Sequence, residues 1–340
     1  MKRGQWLLAV SVLAVCASGC EWGQGGQVMT PTWAQGGSSR DAGFDAPYQV
    51  LDEALRSAQP PIQAMACETY LESDRQPPLS SVEGLADARD PRVRTTALAL
   101  LGTMQRRDLA DLFRRKQRDA GPSVRLAADF GLAMTVEPER MNALREALSA
   151  PDVTVRRTAV WLLGLTGQES AVAMLQVKLD DPDAVVVLRT AEALHRLGSA
   201  AGLERVRILT RHSRHTVRYY AVRLLGRLGE AEDIPLLERL CQSRFLDVKF
   251  GAMAALARLG DFKRIGMLLD MLEAPESQTR VLAARELGET GYTPAVPSLE
   301  KMLQSQVPLE RTTAAAAIVR IRSARRPWRA HILKAEEKEK

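Results

Sequence analysis

Residues 155–167 read VRRTAVWLLGLTG. Val155, Ala159, Leu162 and Leu163 fall at i, i+4, i+7 and i+8, one apolar face at helical period. Gly164 is small enough for a close helix crossing, and Gly167 is a natural left-handed stop. The chain writes this helix repeatedly. A step of 31 residues from Leu163 lands on Leu101, Leu132, Leu194, Leu225, Leu256, Leu287 and Ile318. The same step from Ala159 lands on Ala97, Ala128, Thr190, Ala221, Ala252, Ala283 and Ala314. From Gly167 it gives Gly198, Gly229, Gly260 and Gly291. A fixed period in this range is the signature of a stacked repeat array, and it decides the fold class as all-α.

A second column keeps the same step: Phe113, Leu144, Leu175, Val206, Leu237, Leu268 and Leu299. Each unit is therefore a helix, a Gly-containing turn, a second helix and a polar turn. Eight first helices are centred near residues 97, 128, 159, 190, 221, 252, 283 and 314. Asp90-Pro91 and Asp181-Pro182 place an N-cap acid before Pro at the first helical position, and Thr293-Pro294 does the same for a second helix. Residues 48–84 are helical in pattern but off this consensus. They read as degenerate N-terminal capping helices, because terminal units of an open array need a polar outer face.

The motif D-x-x-V-R-x-x-A-x-x-x-L-G-x-x-G, nearly whole in Asp152, Val155, Arg156, Ala159, Leu163, Gly164 and Gly167, resembles HEAT repeats, in particular the phycobilisome-lyase HEAT-like class. The resemblance spans residues 85–324. It implies a right-handed α-solenoid of about eight 31-residue helix pairs with a concave inner groove. It says little about chemistry, since function lives in sites rather than in folds.

The N-terminus carries a different message. Met1-Lys2-Arg3 is a short positive region, and Trp6 to Val15 is an apolar run of ten residues, too short to span a bilayer. Ala17-Ser18-Gly19-Cys20 resembles the lipobox of bacterial lipoproteins, with Ala17 where Leu is commoner. That resemblance implies a signal peptide over 1–19 and lipidation of Cys20. Two or more acyl chains make a stable anchor. The alternative is an ordinary signal peptide cut after Ala17 or Gly19. Residues 20–47 are rich in Gly, Gln and Ser and read as a flexible tether. Its roughly 26 residues have an r.m.s. span of about 28 Å. Residues 325–340 read as a C-terminal cap and charged tail, with Trp328, Ile332 and Leu333 folding back on the last unit.

The formal charge is +6, and loss of Lys2 and Arg3 with the leader leaves +4. A mixed, mildly basic balance is not the footprint of a dedicated nucleic-acid binder. Cys67 and Cys241 sit far apart in the array and read as small apolar residues. No Cys/His spacing points to a metal, and no motif calls for a cofactor. His212 and His215 are spaced HxxH without a third ligand. The His-Glu dipeptides of HEAT-like hydroxylases, a phosphate loop and a nucleophile elbow are all missing from the sequence.

Two arginine sets stand out. Arg94, Arg125, Arg156, Arg218, Lys249, Arg280 and Arg311 recur at the 31-residue step, with Val187 breaking the run and Arg189 displaced by two. Asp90, Asp152, Asp183 and Glu276 stand four residues upstream of that column. The spacing predicts i,i+4 pairs of about 0.3–0.5 kcal/mol each, joined into a structural ladder between units through Arg94, Arg125, Arg156, Arg280 and Arg311. The second set is an acid-free run from Arg205 to Gly229 with seven arginines. Arg205, Arg207, Arg211, Arg214 and Arg218, with Tyr219 beside them, form a candidate surface for an acidic partner. The alternative is a solvated face neutralised by acids of adjoining units such as Glu192, Glu204, Glu230 or Glu232.

The reading as a whole is a membrane-anchored protein–protein interaction scaffold of the bacterial cell envelope. It is not an enzyme. It sits on the outer membrane or on the periplasmic face of the inner one, and it binds a protein partner through the solenoid surface, with no nucleic acid. One alternative is a HEAT-like lyase-type enzyme; another is a HEAT-like nucleic-acid-binding protein.

Overall fold

The computed structural model describes residues 42–73 and 75–323. The leader, Cys20, the tether up to residue 41 and the stretch 325–340 lie outside the described residues. Three helices open the folded body: α1 (Ala42–Leu55), α2 (Pro60–Leu71) and α3 (Leu79–Leu85). The first of them starts inside the segment that composition assigns to the tether. Fifteen more follow: α4 (Pro91–Thr103), α5 (Ala110–Lys116), α6 (Pro122–Thr135), α7 (Met141–Ala147), α8 (Val153–Leu165), α9 (Ala171–Gln176), α10 (Ala184–Arg196), α11 (Leu203–Leu209), α12 (His215–Leu228), α13 (Ile234–Leu240), α14 (Leu246–Arg258), α15 (Ile265–Asp270), α16 (Ser277–Thr290), α17 (Val296–Met302) and α18 (Pro308–Ser323). Long first helices alternate with short second ones, and no strand occurs among the described residues. The fold is an α-solenoid.

The 31-residue columns are its core. Leu101, Leu132, Leu163, Leu194, Leu225, Leu256, Leu287 and Ile318 are all fully buried, as are Phe113, Leu144, Leu175, Val206, Leu237, Leu268 and Leu299. Burying a Leu or Val side chain contributes roughly 1.5–3 kcal/mol, so this double column alone is a large share of the driving force. Successive first helices cross closely where one of them has no side chain. A Cβ on Gly164 would stand 2.7 Å from the Ala193 Cβ, one on Gly226 2.7 Å from the Ala255 Cα, and one on Gly288 2.8 Å from the Ala317 Cα. At the left-handed stops, Gly167, Gly198, Gly260 and Gly291 have φ of 67°, 81°, 101° and 69°. Gly229 departs from the expectation. Its φ is −68° and the backbone leaves α12 extended, with the Asp233 carboxylate accepting from the Glu230 N–H just beyond.

The ends of the array meet. Each first helix packs on the next, from α2 and α4 through to α16 and α18, and α18 then packs on both α1 and α2. The solenoid is closed into a ring. A second helix such as α5 or α17 lies against the first helix that follows it, and α1 takes that place between α18 and α2. The N-terminal helix thus serves as the second helix of the last unit. Leu51, Leu55, Ile62 and Cys67 are buried at 0–1% exposure in this seam. Across it the Arg320 guanidinium donates to Glu72 at 2.6 Å, between residues 248 apart in sequence. The polar outer face expected of terminal units is not required, because closure gives every unit two neighbours.

The arginine column is built differently from the expected i,i+4 pairs. Asp90, Asp152 and Asp183 cap their helices instead, each accepting from backbone N–H groups two or three residues on. At Asp90 and Asp152 the capping geometry turns the carboxylate toward the helix start, away from the arginine one turn later; after Asp183 that position is Val187. Asp181 does not cap either: α10 begins after Asp183, and Asp181 faces Arg156. The arginines clamp the loop before their own helix. Arg94, Arg125, Arg156, Arg218 and Arg280 each donate to the carbonyls six and five residues back. Arg311 holds Ser305 O in the same way. Three of them also reach the next unit: Arg94 to Asp119 at 2.8 Å, Arg156 to Asp181 at 3.0 Å and Arg280 to Glu310 at 2.6 Å.

Cys67 and Cys241 are buried and free. Burial pushes the Cys67 thiol up to about 12 and the Cys241 thiol up to about 11. Reactivity follows the thiolate. Neither thiol is therefore expected to react with a disulfide reagent at pH 8 in the native protein, and both should react in urea. Rapid native labelling of Cys67 would mean that the seam opens readily.

Candidate functional site

The face turned into the ring is charged. In the helical register, two 31-residue columns point inward: Trp161, Glu192, Arg223, Ala254 and Arg285, and, one turn on, Arg196, Arg227, Arg258, Glu289 and Arg320. Arg227 bridges Glu192 on α10 at 2.8 Å and Glu289 on α16 at 2.6 Å. Arg223 reaches the same Glu289 at 2.5 Å, and the Tyr219 hydroxyl donates to Glu286 at 2.5 Å. These bonds pass over α14, whose Gly251, Ala254 and Ala255 leave room; a Cβ on Gly251 would stand 3.3 Å from the Tyr219 ring. Burial alone would raise the Glu289 carboxyl, but Arg223, Arg227 and Arg320 outweigh it and hold the group well below the usual carboxylate range. Buried charges of this kind are retained only when paired and hydrogen-bonded.

Beside this network the ring encloses a cavity of 680 Å³, lined by the inner faces of α4, α6, α8, α10 and α12 and by Glu68 of α2. Its walls are in part apolar: Trp161, Leu188, Tyr220 and Leu224. Several of its charges are engaged. Arg157 holds Asp183 at 2.8 Å, Arg92 holds Asp90 at 2.7 Å, and Arg223 and Arg227 belong to the network. Such a size and mixture suit a ligand pocket. Withdrawal from bulk water raises the Glu68 carboxyl above its usual range, partly offset by Arg189. The Arg189 break in the clamp column thus has a consequence: the guanidinium belongs to the cavity wall and not to a loop clamp.

The surface expected from the acid-free run does not assemble. Arg205 pairs with Asp180, and Arg207 holds Asp233 at 2.7 Å. Arg218 clamps its loop and lies over the Phe245 ring, 5.1 Å from its centroid. Tyr219 is buried at 7% exposure. The physical reason is the stacking: acids one or two units away fold against the run, from Asp180, Glu192, Asp233, Glu286 and Glu289. Arg211 and Arg214 remain exposed on the loop before α12, with no ion pair among the described residues. The two histidines part as well. His212 accepts from the Arg214 N–H, while His215 stacks on Phe245 at 4.6 Å and meets Asp247 at 3.2 Å. No cluster of metal-ligating side chains occurs among the described residues. No described helix is long and apolar enough to cross a membrane.

Sequence reasoning noted Arg189 and Glu192 singly but did not read the inner columns as one face, and it did not single out Glu68. The signal was available: charge recurring at 31-residue steps on a face that is neither the Leu column nor the loop clamp.

Residues 141–215 and 203–276 match the family model described as HEAT repeats. No curated protein matches the sequence. Among solved structures, the complex of CpcE and CpcF of phycocyanin lyase from Nostoc sp. PCC7120 is 18% identical, over 78% of this chain and 95% of that one, with a TM-score of 0.46. The YibA protein of Escherichia coli is 17% identical, over 84% of this chain and 98% of that one, with a TM-score of 0.40. An engineered protein is 17% identical, over 82% of this chain and 99% of that one, with a TM-score of 0.31. From residue 141 to residue 276 the chain is made of HEAT repeats.

Proposed function

We propose that the protein is a lipid-anchored scaffold of the bacterial cell envelope, not an enzyme, and that it binds an acidic segment of a protein partner on its outer surface. The observation that carries the scaffold reading is the match of residues 141–276 to HEAT repeats, a fold whose units present extended surfaces for binding. The N-terminal pattern ending in Cys20 supports the anchor. Because closure turns the concave face into the ring, the partner surface lies outside it, and Arg211 and Arg214 are its exposed cations.

Two substitutions test the two halves. Cys20→Ser should abolish acyl labelling and release the chain from the membrane fraction; unchanged labelling overturns the anchor. Arg214 is the N-cap of α12 and makes no side-chain cap. Arg214→Asp, combined with Arg211→Ser, should therefore stabilise the protein by about 1 kcal/mol through the new cap. The same double change should cut crosslinked partner capture from intact envelopes several-fold. Capture by the unchanged protein should fall as salt rises, since the Debye length is about 8 Å at physiological ionic strength. Capture that ignores both the substitution and salt overturns the acidic-partner surface.

A further inference from the structure

Two opposite charges on the cavity wall are left without a mate. Glu68 on α2 and Arg189 on α10 both line the cavity and attract one another electrostatically. No hydrogen bond or ion pair joins either of them to any described residue, whereas Glu192, Arg157, Arg223 and Arg227 around them are all paired. A carboxylate and a guanidinium that face one space and do not close on each other leave room for a group that answers both. Beside them stand two aromatic rings. Trp161 on α8 is half-buried, and Tyr220 on α12 is 51% exposed although it sits on an inner helix face. Arg189 and Tyr220 hold the same register on adjacent helices, with Trp161 one turn further along its own. A ring-bearing side chain entering the cavity therefore meets the aromatic walls while its polar end lies between the two charges. The rim is wet and reachable: Arg92, Asp152 and Thr154 are exposed there.

We propose that this cavity binds a zwitterion of the amino-acid class carrying an aromatic side chain, with Arg189 taking the carboxylate, Glu68 taking the ammonium, and Trp161 and Tyr220 flanking the ring. Arg pairs with carboxylates through two parallel N–H···O bonds, which sets the orientation. Glu68 is exposed to the cavity and makes no ion pair among the described residues, so an ammonium can reach it directly. A lone anion would face Glu68 as a like charge, and a lone cation would face Arg189, so each half of the ligand answers an objection to the other. The proposal stands independently of the membrane anchor and of the outer partner surface.

Titration calorimetry on the detergent-solubilised full chain tests it, with L-tryptophan, L-tryptophan amide, N-acetyl-L-tryptophan and glycyl-L-tryptophan as probes. L-tryptophan should bind, and the amide and the N-acetyl compound should each bind at least about tenfold more weakly, the equivalent of 1.4 kcal/mol. The variants should trade these preferences. Arg189→Met should lose the discrimination against the amide while keeping that against the N-acetyl compound, and Glu68→Gln should do the reverse. Glycyl-L-tryptophan binding more tightly than L-tryptophan assigns the cavity to short peptides; weaker binding assigns it to the free amino acid. Arg189→Lys and Glu68→Asp, which keep each charge, guard against misfolding and should retain binding at reduced strength. No binding of any probe up to 10 mM by the unchanged protein, or equal binding of the amide and the parent, overturns the proposal.

Discussion

Leu51→Asp is expected to cost about 5 kcal/mol and to open the ring at its seam. Leu51 is fully buried on α1, in the seam that α18 and α2 share. An ionised carboxylate there has no partner, and a protonated one still leaves the apolar seam unfilled. The position of the damage is as informative as its size. Hydrogen exchange should lose protection together in α1, α2 and α18, although the residues that join them are 248 apart in sequence. Protection in α8 and α10, on the far part of the ring, should persist to higher denaturant, as expected where each unit contacts only its neighbours. If α18 keeps its protection while α1 and α2 lose theirs, the array is an open solenoid and the seam contributes little. Equilibrium unfolding in urea gives the magnitude; exchange read by mass spectrometry gives the map.

The second large effect belongs to the ion network. Glu289→Gln leaves Arg223 and Arg227 short of the carboxylate that both of them meet, at 2.5 and 2.6 Å. Breaking a buried pair by removing one partner costs about 3–5 kcal/mol. The lower end applies, about 3 kcal/mol, because Arg227 keeps Glu192 and Arg223 still faces Glu286 at 3.7 Å. The pH dependence has a definite sign. The folded Glu289 carboxyl lies well below its usual range, so its contribution is complete above the unfolded value of about 4.3 and is lost as pH falls toward the folded one. The stability gap between wild type and Glu289→Gln should therefore be widest near neutral pH and shrink in acid. A gap that stays constant down to pH 3 would show that packing, not charge, holds this position.

The legible part of the fold was the part that repeats. Leu163 and its equivalents, and Phe113 with its own, are a one-dimensional signal that stacking turns directly into a core. Gly164 was legible for the same reason: its role as a close crossing follows from size alone. The capping acids misled because Asp152 and Arg156 do stand at i,i+4, yet the free N–H groups at the helix start are the nearer and stronger claim on the carboxylate. The acid-free run misled for a related reason. Local sequence shows only local charge, whereas Arg223 and Arg227 find Glu289 more than sixty residues on, across a whole intervening unit. The seam was illegible because no periodicity links α1 to α18. The α1 segment fits the 31-residue consensus poorly, since it is a second helix detached from its first. Within the candidate cavity, Arg189 was visible as a displaced member of its column, while Glu68 sits in the off-consensus segment and was not singled out.

The place of α1 sets an order of events during synthesis. It is the first helix of the folded body to be made, and α18, against which it docks, is the last. At about 5–20 residues per second, the interval between them is some tens of seconds. Throughout that time α1 has only α2 and α3 to pack on, and the units from α4 onward are free to stack without the α18 side of the seam. The first helix to emerge is thus the last to be fully enclosed, and a chain halted before α18 is complete leaves open the side of α1 that α18 covers.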